Sequence, residues 1–143
     1  MPTLLIAAAP ALAWSLLLSG AVVILSLVPL GAGRANANFT PEDLAAPRAM
    51  FERLPAWGQR ANWAHQNSFE AFTLHAPACL LCLQAGATGP LLTAAALLQP
   101  LLRLIYIGAY VANQPLLRSL CWAVSLSCTA VLYMAGLKAV LAG

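Results

Sequence analysis

Two short patterns hold the residues of this chain that could do chemistry. The first is Trp63-Ala64-His65-Gln66-Asn67-Ser68-Phe69-Glu70, in which an amide and a carboxylate stand three residues apart. The second is Arg103-Leu104-Ile105-Tyr106-Ile107-Gly108-Ala109-Tyr110, a guanidinium and two phenols at i, i+3 and i+7, with Arg118 following the turn. Spacings of three, four and seven put side chains on one face of a helix. Such a set offers cations for a carboxylate, a carboxylate for an ammonium, and neutral donors to orient the rest. The ligand it suits is small, charged and zwitterionic.

These residues lie in apolar surroundings. The chain is 62% hydrophobic and 8% charged, against about 25% charged in an ordinary soluble domain. Seven of its eleven Asp, Glu, Lys and Arg residues fall between Arg34 and Arg60; Glu70, Arg103, Arg118 and Lys138 sit in or beside long apolar runs. The expectation is one integral membrane domain over 1–143. Four runs can each supply the roughly 20 residues needed to span a bilayer: about 4–30, 62–85, 91–112 and 116–141. They lack strand-like alternation, so helices are expected to carry the backbone across. Ala35-Asn36-Ala37 resembles a signal cleavage site. The run before it has no leading Lys or Arg and is about twice the usual apolar length, so it reads as a span.

Short links, Ala85–Pro90 and Asn113–Pro115, make neighbouring helices antiparallel and predict an all-α, up-and-down bundle of four. Arg34, Arg48, Arg53 and Arg60 lie in or beside the first connection (31–60), and Arg118 abuts the third. The positive-inside rule then places both connections in the cytoplasm and both termini outside. Within the first connection, Thr40-Pro41-Glu42-Asp43 reads as a capped helix start, with one or two helical turns expected along the membrane surface. Trp57 and Trp63 mark the interface where the second span enters. The basic residues are scattered among acids and form no patch for nucleic acid.

Counted at 1.5 Å per residue from the cytoplasmic side, Asn67 and Glu70 lie roughly 10–15 Å deep, and Tyr110, Tyr106 and Arg103 roughly 5, 10 and 15 Å deep. An unpaired charge at mid-membrane costs at least about 2.5–3.5 kcal/mol, which predicts a direct Glu70–Arg103 pair. A purely structural pair would need nothing more. Two tyrosines, an amide and a second Arg at the same level favour a ligand site. No second polar cluster is evident in the outer half, which counts against a path through the membrane.

At these residues the chain resembles the MAPEG family, the membrane-associated proteins in eicosanoid and glutathione metabolism, and among them its bacterial members. The family pattern Arg-x-x-x-Asn-x-x-Glu-Tyr is matched at Asn67 and Glu70, and Arg-x-x-Tyr-x-x-x-Tyr is matched in full at Arg103, Tyr106 and Tyr110. The first Arg position holds Trp63, with Arg60 one turn earlier, and the Tyr position holds Ala71. The thiolate-stabilising Arg falls on Leu117 by plain counting, and the Arg present is Arg118. Either the turn absorbs one residue or that Arg is missing.

The resemblance implies a homotrimer in a bacterial inner membrane, with glutathione as co-substrate in clefts between subunits. The activity implied is transfer of glutathione to, or reduction of, a lipophilic substrate entering from the bilayer. Arg118 would stabilise the thiolate, helped by Tyr106. Glu70 would take the ammonium and Arg103 a carboxylate, with Asn67, Tyr110 and Arg60 completing the binding set. A non-catalytic scaffold and a small transporter or channel component are the rival readings. His75, Cys79 and Cys82 share a helix face, but three ligands with no fourth leave the metal set at none. Gly20, Gly108 and Gly136 are expected at close helix contacts.

Overall fold

A computed structural model of the protein describes residues 2–142, with side chains from Ala8 onward. The helices are α1 (Pro2–Leu25), α2 (Leu27–Ala35), α3 (Ala56–Gln84), α4 (Pro90–Val111) and α5 (Pro115–Ala142). Two 3₁₀ turns, Pro41–Leu44 and Pro47–Arg53, lie in the first connection. There is no strand among the described residues.

The first apolar run continues further than its composition indicated. Helix persists to Ala35 and carries Arg34 in its last turn. The Asn36 side chain then donates to the Ala32 carbonyl at 2.9 Å. The break between α1 and α2 falls at Ser26, while the helices run on through Pro10, Pro77 and Pro100. Ser26 Oγ donates to the Val23 carbonyl and lies 2.6 Å from His65 Nδ1 on α3. A hydroxyl engaged with its own helix commonly bends it, and here a second helix meets the bend.

The capped start at Thr40 forms as a 3₁₀ turn. The Thr40 backbone N–H donates to Asp43 Oδ2 at 2.9 Å, and Arg53 pairs with the same carboxylate. This hydrogen bond from Arg53 holds the Asp43 carboxyl below its ordinary range. The connection left between helices is therefore only 36–55, because α3 starts at Ala56, several residues before the apolar run.

Three stretches are long and apolar enough to cross a membrane: Ala8–Ala35, Pro90–Val111 and Pro115–Ala142, with mean hydropathies of 2.3, 1.6 and 1.7. The protein is an all-helical membrane protein. Helix α3 is equally long, but its amides, histidines, Arg60 and Glu70 keep it out of that group. It nevertheless packs among the others: α1 touches α3 and α4, and α5 touches α3 and α4.

Small side chains set the spacing. Ala78, Cys79, Cys82, Ala95, Ala96 and Cys128 are buried around Leu12 and Leu132. Of the expected glycine contacts, Gly136 is one, since a Cβ there would lie 2.8 Å from Leu81 Cγ. Gly108 faces open space and Gly20 has only an ordinary neighbour in Phe72. A close backbone crossing was not expected: a Cβ on Gly33 of α2 would lie 2.9 Å from Gly58 Cα of α3.

Candidate functional site

Helices α3 and α4 bring the two patterns together. Arg103 is 3% exposed and its Nη2 donates to both Asn67 Oδ1, at 2.8 Å, and the Asn67 carbonyl, at 3.1 Å. Asn67 Nδ2 then donates to Glu70 Oε2 at 2.9 Å. The expected direct ion pair is thus replaced by a relay through an amide. The reason is positional: Asn67 stands one turn nearer the start of α3, and its side chain lies between guanidinium and carboxylate. Glu70 is also exposed on the flank of α3 rather than buried. The Arg103 Nε–H has no partner among the described residues, and a buried donor left so costs about 1–3 kcal/mol.

The aromatic groups extend the cluster toward the start of α5. The Arg103 guanidinium lies 4.0 Å from the centroid of the Tyr106 ring. Tyr106 and Tyr110 meet edge to face at 5.5 Å, and the Arg118 guanidinium lies 4.7 Å from the centroid of the Tyr110 ring. Cations over phenol faces gain roughly 0.5–2 kcal/mol, more as water is excluded. Two cations therefore bracket a phenol pair, with the Glu70 carboxylate one helical turn beyond Asn67.

Arg118 reaches this position because of the turn before it. Asn113 adopts a left-handed backbone (φ 57°), a conformation Asn tolerates better than most residues. The Gln114 N–H closes back on the Ala109 carbonyl at 2.8 Å. After this turn Arg118 faces the cluster while Leu117 is 45% exposed.

Two concavities flank the Asn67–Glu70 step. The outer one, about 390 Å³, is lined by Trp63, Gln66, Asn67, Glu70, Tyr106 and Tyr110. The other, about 210 Å³, lies between α3, α4 and α5 and includes Gln99, Arg103, Trp122 and Thr129. Arg103 lines the second and not the first. Arg60 lines neither; its Nε donates to the Val111 carbonyl at 3.1 Å, so it closes the end of α4. Trp63 stacks between Phe51 and Tyr110, at 5.6 and 6.4 Å.

A family model described as the MAPEG family matches residues 11–138. The chain belongs to the MAPEG family. No curated protein and no solved structure matched the chain. The MAPEG assignment covers both patterns, the first connection and most of α5.

This MAPEG chain also holds polar groups that its sequence did not advertise. Ser15 Oγ donates to the Ala96 carbonyl and lies 2.8 Å from His75 Nε2; His75 Nδ1 lies 3.0 Å from Thr129 Oγ1. Ser19 Oγ donates to Gln99 Oε1 at 3.1 Å. A second polar cluster therefore lies about midway along α4 and α5, one turn beyond Arg103. Ser15, Gln99 and Thr129 stand singly in apolar runs of the sequence; the one sequence signal for them is that Gln99 stands one turn from Arg103. His75 and Cys82 go to different partners, the latter donating to the Leu132 carbonyl at 3.0 Å. No group of three or more His, Cys, Asp or Glu side chains could hold a metal among the described residues.

Proposed function

We propose that this MAPEG protein is a glutathione-dependent transferase or peroxidase acting on lipophilic substrates from the bilayer. The observation that carries the proposal is the placement of Arg118 and Arg103 on either side of the Tyr106–Tyr110 pair, with Glu70 at the same cleft. A free thiol has a pKa near 8.5, and positive potential lowers it. Arg118, in the first turn of α5, adds its charge to the helix dipole at that end. Tyr110, beneath Arg118, donates a hydrogen bond to the sulfur, and Tyr106 supports it from the edge.

Glu70 takes the tripeptide's ammonium, its exposure making it reachable from the cleft. Asn67 orients Glu70 and is itself held by Arg103, so Arg103 acts on the ligand through Asn67 and by its charge. In conjugation, the thiolate forms a sulfur–carbon bond and the electrophile takes up the electron pair. In peroxide reduction, the thiolate attacks the O–O bond and an alkoxide leaves with the pair.

The same reading takes α3 as the fourth membrane crossing, completing a bundle of four. Its polar flank, with Glu70 facing outward, faces a neighbouring subunit of a homotrimer rather than lipid. The arginines of the first and third connections put both termini outside, and the likeness to bacterial members of the family puts the protein in an inner membrane. The rival is a non-catalytic member, favoured by Trp63, whose indole stacks on Tyr110 where the family pattern has Arg.

Far-ultraviolet difference spectroscopy of the purified protein, titrated with glutathione, decides between them. A saturable thiolate absorbance at neutral pH supports the enzyme. Calorimetric binding without that absorbance supports the non-catalytic member. Neither signal removes glutathione from the proposal.

A further inference from the structure

The end of the molecule away from Arg118 carries a charge that the chain itself does not answer. Lys138 stands one turn before the end of α5, exposed among Leu137, Val140 and Leu141. It makes no ion pair among the described residues. The four acidic side chains are Glu42, Asp43, Glu52 and Glu70. Even the last of these is far away, because α3 rises roughly 20 Å from Glu70 to its end at Gln84. A second copy in the same membrane orientation therefore brings no acidic side chain to the level of Lys138. The complementary charge has to come from outside the protein.

The surroundings of Lys138 specify what carries that charge. Lys138 lines a groove of about 1020 Å³ between the start of α4 and the last turns of α5. The walls are apolar: Leu91, Met134, Leu137 and Leu141 are 69, 67, 48 and 78% exposed. Ala130, Ala135 and Ala139 are small and leave the channel open along α5. At its polar end α4 begins with Gly89 at the cap and Pro90 in the first turn, and no side chain caps it. Thr93 is the first residue of this helix whose N–H bonds back, to the Gly89 carbonyl at 3.1 Å. The helix start thus adds positive potential to that of Lys138. One cation and a helix start at the mouth of an apolar channel match an amphiphile with an anionic head. A lysine this near a helix end reaches the membrane interface on its apolar stem, where lipid phosphates lie.

We propose that this groove seats one phospholipid of net negative charge. Its phosphate lies at Lys138 and the start of α4, and one acyl chain runs along α5 to Ala130, roughly 12 Å away. The site shares no residue with the two concavities beside Asn67 and Glu70. It rests on the membrane reading of α5 and not on glutathione.

The test uses the full chain in detergent, an equal mixture of palmitoyl-oleoyl phosphatidylglycerol and the phosphatidylcholine with the same chains, and native mass spectrometry to count retained lipid. One phosphatidylglycerol per chain should be held with about fivefold preference, the worth of one cation near a lipid surface. Lys138→Ala should remove that preference and Lys138→Arg should keep it. Both should leave the melting temperature in lipid-free detergent and any glutathione thiolate absorbance unchanged. Ala130→Trp, at an exposed position in the channel, should weaken both lipids about equally by blocking the chain. Anionic lipid drawn to the arginines of the first connection is untouched by these changes, so the difference between variants reads the groove alone.

An undiminished preference in Lys138→Ala would overturn the proposal. So would equal retention of the diacylglycerol with the same chains, which would reduce the site to a greasy groove. Tighter binding of oleate would assign the groove to a fatty acid, and full lipid retention in Ala130→Trp would deny the chain its seat; either overturns the proposal. Displacement of the lipid by an equal concentration of glycerol phosphate would leave an ion site only and overturn it likewise. Loss of the glutathione thiolate signal leaves the lipid count standing, so the two readings fail separately.

Discussion

At the residue scale, Arg103 is joined through Asn67 to Glu70, and the proposed function gives this relay the binding of the ligand and Arg118 its activation. Glu70→Gln keeps the shape and the hydrogen bond from Asn67 but removes the charge that would hold an ammonium. Glutathione affinity should fall about tenfold to a hundredfold, since a charge-assisted bond is worth about 1.5–3 kcal/mol; calorimetry measures it, and unchanged affinity removes Glu70 from that role. Arg118→Ala should instead leave affinity within about threefold, and shift the midpoint of thiolate formation up toward the free value of about 8.5. A pH titration of the thiolate absorbance reads that midpoint. Retention of the wild-type midpoint would move the chemistry to another cation. The spacing of Arg103, Tyr106 and Tyr110 was enough to predict a shared face. It was not enough to predict that an amide would sit between the charges, because that depends on the rotation of α3 against α4.

At the element scale, the Gly33–Gly58 crossing fixes how α2 lies on α3. Gly33→Ala puts a methyl 2.9 Å from the backbone of α3, which has no side chain to move aside. Such overpacking costs about 1–3 kcal/mol. Gly31→Ala, two residues away on an open face, should be neutral or stabilising by up to about 1 kcal/mol, as Ala is the better helix former. Thermal unfolding in one detergent compares the pair, and equal melting temperatures would deny the crossing its role. The first connection has its own clasp in Asp43, which holds the Thr40 backbone and Arg53. Because folding lowers the Asp43 pKa, its contribution is present above the unfolded value of about 3.9. It is lost as pH falls through the lower folded value. A carbon-detected NMR titration of the Asp43 carboxyl should give a midpoint below 3.9, approximately the unfolded reference, and Asp43→Asn should speed tryptic cleavage after Arg48. The Thr40 cap was legible because it is local. The Gly33–Gly58 contact joins residues 25 positions apart, and nothing in either segment names the other.

At the scale of the whole molecule, the exposed flank of α3 is the least satisfied surface. Glu70 and Gln66 share it with Phe69 and Trp63, all exposed, and a carboxylate facing lipid is costly. Covering that flank with a second copy removes the cost. Native mass spectrometry should therefore show three times 15.0 kDa. A monomer that still forms the thiolate would show that one chain suffices for the site.

The sequence by itself determined that this is a helical membrane protein, because composition and run length fix the solvent and hence the backbone. It also determined the face shared by Arg103, Tyr106 and Tyr110, because helical period is a property of one element. The tertiary structure decided what no single element contains. It placed Arg118 rather than Leu117 on Tyr110 through the backbone of Asn113. It put Asn67 between Arg103 and Glu70. It joined Gln99, Arg103 and Thr129 under one cavity. Each of these rests on the rotation and depth of one helix against another. Those are set by small buried residues such as Ala64 and Ala96, which in the sequence are indistinguishable from the alanines facing lipid.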